Sequence, residues 1–364
     1  MIIGMFASTR GMKLAVLDLV RLLAAKKSLE IIADPMCKFF WSGPTDSFTI
    51  EGDQTPIQTE ERTVDLDTFI VATYCLIDEL MDELLPKGER LRERGPARLL
   101  LDDREVLTIE IVGEFLGLDT DQGIFRHFRR HYEEWFPGLG EAHRTTFCRQ
   151  AANLWKVKEM LWRELLPRID YDPKISLVDS FCVPVCSFAK APRHKSFAGV
   201  AAYGHDAMTK AVFYGLGGHL RVCWPGVIVE ATLVPADAHD RWVVESDLLS
   251  GVGEGTFVVG DTNYSSPTLA EDLARYGVDL IAPEKSSVKR ERHPGPRWLT
   301  GVRRRIETVI SQLVERYHMK RVRARDVWHL SSRFWRKILG HTCCVVLCQR
   351  AGLSPLRFSE LVTH

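Results

Sequence analysis

The hydrophobic period changes once along the chain, near Lys174, and this change limits the fold more than any other feature. Upstream, Phe69, Ala72, Leu76, Leu80 and Leu84 recur at helical spacing until Pro86 stops the run. Asp102 and Asp103 precede a second periodic stretch, Val106 to Leu116, which closes at Gly117. Phe125, Phe128, Tyr132 and Phe136 mark a third, ended by Pro137 and Gly138, and Phe147 to Leu166 makes a fourth. Downstream come short β-rich runs separated by Gly, Pro and Asp: ISLVDSFCV, KAVFYGL, GHLRVCW, VIVEATLV, TFVVGD and VDLIAPE. Helices are expected at Leu269–Tyr276, at about Arg303–Tyr317 and at about Val327–Leu347. Strands with flanking helices predict an α/β core behind a helical region. The expected organisation is a linker, disordered stretch or non-native extension over residues 1–60, a helical domain over 61–170, an α/β domain over 171–350, and a tail over 351–364.

Charge is uneven although the formal net charge is zero. Residues 1–172 carry 22 Lys and Arg against 30 Asp and Glu, whereas residues 173–364 carry 26 against 18. Most of the excess sits in 285–337, with 16 basic and 4 acidic residues. Such an excess suits a polyanion, because each Lys or Arg near a phosphate releases a condensed counterion. A solvated basic helix face is the alternative. No run of uncharged apolar residues is long enough to span a bilayer, so no membrane partner and a cytoplasmic location are expected. The nine cysteines are scattered. Cys182 with Cys186, and Cys343, Cys344 and Cys348, lie in apolar β-branched surroundings that favour buried thiols over zinc knuckles.

Three acids form the candidate centre. Asp179 follows the apolar run Ile175–Val178, Asp261 follows Phe257–Gly260, and Glu307 lies in the basic helix GVRRRIETVISQLVERY. A carboxylate is costly inside a hydrophobic strand, so one at a strand end commonly serves a site. Ile306, Val309, Ile310, Leu313 and Val314 form the apolar face of the helix; Glu307 borders it and could point inward along the sheet edge. Three converging carboxylates need a cation, and hard ions such as Mg2+ or Mn2+ choose oxygen ligands and assist phosphoryl transfer. Periodicity alone does not make the three converge.

The motifs resemble the DDE transposases of bacterial insertion sequences. VDS at Asp179, VVGDTNY at Asp261 and RRIE at Glu307 match the three catalytic motifs in order, with PRHKSF, FYGLGGHL, PADAHD and IETVISQL in support. DDREVLTIEIVGEFLGLDTDQGIF and RQAANLW resemble one subfamily upstream of its first catalytic Asp, so the likeness spans about residues 65–347. It implies an RNase H-like fold, a mixed five-stranded sheet flanked by helices, behind an all-helical N-terminal domain. It further implies that Asp179, Asp261 and Glu307 hold two Mg2+ (or Mn2+) ions, cut double-stranded DNA at the element's terminal inverted repeats and join it to target DNA. A homodimer or larger synaptic assembly follows from the need to hold two ends. Relatives often carry Tyr seven residues before the Glu and Lys seven after; this chain has Thr300 and Val314 there, but keeps Arg303 one turn before Glu307. FYGLGGHL has Gly217 where a basic or bulkier residue is common.

For DNA contact the resemblance puts Arg193, His194 and Lys195 beside the active site, with a solvated turn as the alternative. Arg303 and Arg304 open the Glu-bearing helix, and Lys320, Arg321, Arg323 and Arg325 continue a basic surface suited to backbone contact. The His205-Asp206 and His239-Asp240 doublets lack the helical setting of a metal phosphohydrolase. No P-loop, dinucleotide glycine fingerprint or Gly-x-Ser-x-Gly elbow is present. The other readings are an RNase H-like nuclease without strand transfer and a catalytically decayed, DNA-binding transposase remnant.

Overall fold

The computed structural model describes residues 65–85, 99–206, 209–283 and 297–362, the side chains of 297–300 excepted. The segment 1–60, Pro86, the basic residues at 285–296 and the Thr300 side chain lie outside the described residues. Among the described residues, six α-helices precede the sheet: α1 Leu66–Leu84, α2 Asp103–Phe115, α3 Asp121–His131, α4 Gly138–Glu141, α5 Arg144–Asn153 and α6 Trp155–Leu165. Their starts follow capping chemistry. Asp65 accepts from the Thr68 amide, and Asp102 forms a reciprocal box with Glu105 at the head of α2. The fourth periodic stretch is two helices, α5 and α6, which meet at Leu154.

The strands are β1 Asp172–Cys186, β2 Ala202–Asp206, β3 Ala211–Trp224, β4 Val227–Pro235, β5 Thr256–Val259 and β6 Val278–Ile281. They form one mixed sheet of six strands, not five. KAVFYGL and GHLRVCW merge into the single long strand β3, because Gly217-Gly218 does not break it. A Cβ on Gly218 would sit 2.5 Å from the Phe181 ring, so the glycine leaves that ring its place against the strand. β1 pairs antiparallel with β3 and parallel with β5, which pairs parallel with β6. The far edge of β3 is shared end to end: Ala211–Gly215 pairs with β2, and Leu216–Cys223 with β4.

α7 Asp240–Val243 lies between β4 and β5 and α8 Pro267–Ala274 between β5 and β6, whereas α9 Arg297–Ser311 and α10 Val327–Arg350 follow the last strand. A π-helical turn, Gln312–Arg316, continues α9. Val64–His364 is one compact unit. One apolar core runs through it, from Phe69 and Val112 on the early helices to Leu177 and Leu220 on the sheet and Ile338 and Cys344 on α10. α10 is buried on every side from Arg336 to Cys348, and the thiols of Cys343, Cys344 and Cys348 are part of that core. Residues 351–364, expected as a tail, pack Leu356, Phe358, Leu361 and Val362 into the same core. A second cluster, with Val178, Val243, Val244, Leu248, Val258 and Tyr264, lies on the opposite face of β1 and β5.

The early helices also meet α10 through buried charge. Arg336 reaches Glu110 (2.9 Å), Glu114 (2.5 Å) and Asp121 (2.8 Å), Lys337 reaches Glu114 (2.6 Å), and Lys158 reaches Glu110 (2.7 Å). Ions this deeply buried persist only as partners, since either alone would carry a large desolvation cost.

Candidate active site

Side chains alternate along a strand, so the faces of β1 sort its residues. Leu177 and Phe181 belong to the main core together with Ile306, Val309 and Leu313 of α9 and its π turn. Asp179, between Leu177 and Phe181, therefore lies on the face that α9 covers. β5 then brings in the second acid. Ile175, Ser176 and Leu177 pair with Phe257, Val258 and Val259. Carrying that parallel register two residues further sets Asp261 level with Asp179. There the chain leaves the strand: Asp261 caps the turn Thr262–Tyr264, its carboxylate accepting from the Asn263 amide at 2.8 Å.

Burial raises Asp179 to about 6, against the pull of the Ser180 amide, which donates to its Oδ1 at 2.8 Å; Asp261 pushes the pKa further up and Arg303 draws it down. The carboxylate pair is thus held together with too little positive charge of its own. Arg303 and Glu307 are one turn apart on α9 and share a helix stripe. The Arg303 guanidinium is near enough to Asp179 to oppose the rise of its pKa. Glu307 itself is exposed rather than turned inward under the sheet. Among the described residues no three His, Cys, Asp or Glu side chains lie close enough to hold one metal ion together.

On the other face of β1, a polar cluster sits behind the pair. Ser180 Oγ donates to Asp240 at 3.5 Å, and His219, opposite Ser180 in the β1–β3 register, brings Nε2 to 3.9 Å from Asp240. Tyr264 is fully buried beside these groups, and the negative charges of Asp240, Asp179 and Asp261, added to burial, drive its hydroxyl pKa up. Sequence reading missed His219 and Tyr264. The only signal was a His inside an apolar strand and a Tyr three residues after the acid. The His239-Asp240 doublet caps and opens the short α7, and His205-Asp206 ends β2, with Asp206 paired to Lys320 at 3.0 Å.

The basic residues divide. Arg193, Lys195, Arg304, Arg321 and Arg323 are exposed, whereas His194 is half-buried against Phe197. Arg305 lies over the Trp224 ring at 4.9 Å. Lys320 is half-buried in its pair with Asp206, and Arg323 pairs with Asp119 at 3.0 Å.

With strands, acids and helix in this arrangement, comparison with known families is informative. Residues 171–327 match the family described as "Transposase DDE domain". This segment is thus similar to transposase DDE domains. Its match begins just before β1 and ends at the start of α10, so it includes Asp179, Asp261 and Glu307. Such a domain is that of a DDE-type polynucleotidyl transferase, and enzymes of the family generally use divalent metal ions. Among solved structures, the chain is similar to the piggyBac transposase synaptic complex with hairpin DNA. That similarity is at 10% identity and a TM-score of 0.43, covering 85% of this chain and 83% of that one. No curated protein matches the chain. No helix among the described residues is long and apolar enough to cross a membrane.

The DDE domain fits a hard cation in part. Asp179 and Asp261 offer paired carboxylate oxygens, and sites for Mg2+ are commonly built from one or two carboxylates completed by water and substrate phosphate.

Proposed function

We propose that the protein is a transposase of a bacterial insertion sequence, cutting DNA at the element's ends and joining the freed ends to target DNA. The observation that carries the reading is the register that sets Asp261, just beyond β5, level with Asp179 on β1, with Arg303 of α9 near enough to act on Asp179. The strand order β4-β3-β1-β5-β6, three antiparallel strands followed by two parallel ones, supports an RNase H-like catalytic core.

In this reading Asp179, Asp261 and Glu307 hold two Mg2+ or Mn2+ ions, with Glu307 completing the set once DNA phosphate is present. Bound divalent ions would supply electrophilic stabilisation to the phosphodiester oxygens and favour an ionised attacking oxygen. Asp179 is oriented for this task by the Ser180 amide. Arg303 offsets the charge of the carboxylate pair and stands where a phosphate oxygen would approach. Hydrolysis leaves a 3′-OH at the element end, and this hydroxyl displaces a 3′-oxygen in the target strand; in-line positioning and charge stabilisation carry both displacements. The helices of 61–170 and the exposed cations Arg193, Lys195, Arg304, Arg321 and Arg323 engage the terminal repeats and target duplex, in a homodimer or larger synaptic assembly located in the cytoplasm.

Exposure of Glu307 favours a second reading, a remnant that binds DNA without cutting it. A labelled duplex carrying the element end, incubated with Mg2+ or Mn2+, separates the two. Cleavage and joining by the native chain, lost in Glu307→Gln and Asp261→Asn, support the transposase. Cleavage without joined products points to a nuclease. Equal cleavage by Glu307→Gln rejects Glu307 as a ligand, and tight binding without cleavage in every variant favours the remnant.

A further inference from the structure

A cleft of about 630 Å³ opens between the head of α5 and the segment leading into α10, and it is lined by Arg144, Arg149, Arg323, Arg325 and Arg333. The one carboxylate in its wall, Asp121, is already engaged: Arg333 holds its Oδ2 at 2.6 Å and Arg336 its Oδ1 at 2.8 Å. Arg144 and Arg149 form no ion pair among the described residues, whereas Arg323 is paired with Asp119 at 3.0 Å and Arg325 lies 3.4 Å from His329 and within the field of Asp326. Arg144 also stands in the first turn of α5, where the helix terminus is itself positive. Like charges facing one open cleft repel unless an anion lies between them, and a cleft lined by one sign of charge focuses its field.

We propose that this cleft is a second DNA site, holding backbone phosphates of the duplex away from the cleaved bond; the proposal rests on the transposase reading. Three observations favour a polymer over a small phosphate. The arginines come from two separate elements and stay exposed at Arg144, Arg149, Arg323 and Arg325. Arg321, two residues before Arg323 in the chain, is exposed as well, so basic residues extend beyond the cleft lining. The segment bearing Arg323 and Arg325 is fixed rather than loose: Arg333 donates to the carbonyls of Val322 and Arg323 at 2.9 and 2.7 Å, holding Arg323 at a φ of 52°. Arginine suits this role because its planar fork matches phosphate oxygens.

The test is duplex binding by the full chain carrying Arg144→Gln, Arg149→Gln and Arg325→Gln together, read as fluorescence anisotropy over a salt series in EDTA, where cleavage cannot interfere. A matched control replaces the exposed Lys210, Arg275 and Arg357 by Gln, giving the same change in net charge elsewhere. Each lost phosphate contact removes about 0.9 from the slope of log affinity against log salt. The cleft variant is expected to lower the slope by roughly 2–3 and the affinity in 0.1 M salt on the order of a hundredfold, with an unchanged melting temperature. The control is expected to shift neither by more than a fraction of that. Equal slopes for the native chain and the cleft variant overturn the proposal while leaving the transposase reading in place. Equal losses in variant and control also overturn it, as does loss of RNA binding with duplex binding intact. Failure of the native chain to bind any duplex overturns the cleft and the transposase reading together.

Discussion

Replacing Asp179 by Asn should stabilise the metal-free protein, and more so as the pH rises. Burial and the neighbouring Asp261 lift the folded-state pKa of Asp179 from 3.8 to about 6. A carboxyl group raised in this way folds most favourably when protonated. Its contribution is intact below the unfolded pKa and is lost as pH climbs through the folded one. From those two values the ionised carboxylate costs the fold about 1.5 kcal/mol at pH 5 and about 3 kcal/mol at pH 8. Asn is nearly isosteric and carries no charge, so Asp179→Asn recovers most of that cost. The assay is urea unfolding in EDTA from pH 5 to pH 8, comparing native and variant chains. The expected gain grows by about 1.5 kcal/mol across the window. Adding Mn2+ should shrink the difference at pH 8, because a bound cation removes the repulsion in the native chain alone. A variant no more stable than the native chain at pH 8, or a gain independent of pH, refutes the claim that the carboxylate pair is held at a cost to the fold.

Three further predictions concern the frame around the site. Arg336→Met strands Glu110, Glu114 and Asp121 without their shared cation, and the lost stability, about 3–5 kcal/mol, is readable in urea unfolding. Gly215→Ala would bring a Cβ to 2.3 Å from the Val183 carbonyl oxygen on the adjacent strand. That contact is with backbone, so the β1–β3 pairing must shift, at about 1–3 kcal/mol, with cleavage activity falling alongside the melting temperature. Asp102→Ala removes the capping box of α2 and should cost about 1 kcal/mol, without changing metal binding.

What the sequence could show depended on how local the cause was. The change of period at Lys174, the start of α2 at Asp102 and Asp103, and Asp261 beyond a short apolar strand were legible because each depends on neighbours within a few residues; Asp179, expected at a strand end, lies instead in the middle of β1, which runs on to Cys186. The resemblance around VDS, VVGDTNY and RRIE added the order of the acids. The buried network was not legible. Glu110 and Glu114 read as polar positions in an apolar helix, and Arg336 and Lys337 as surface cations of a basic segment. Their partners are more than two hundred residues apart in the chain, and nothing local pairs them. The cleft was hidden for a related reason: Arg144 and Arg149 lie in the acidic half, where bulk charge conceals a local excess. The sequence by itself determined where the helical and strand-rich regions lie, because hydrophobic period and capping act over one or two turns. Only the tertiary structure decided that Asp179 and Asp261 lie side by side, that Glu307 faces solvent, and that α10 closes one core over helices and sheet alike, because register and packing join residues that the chain itself keeps far apart.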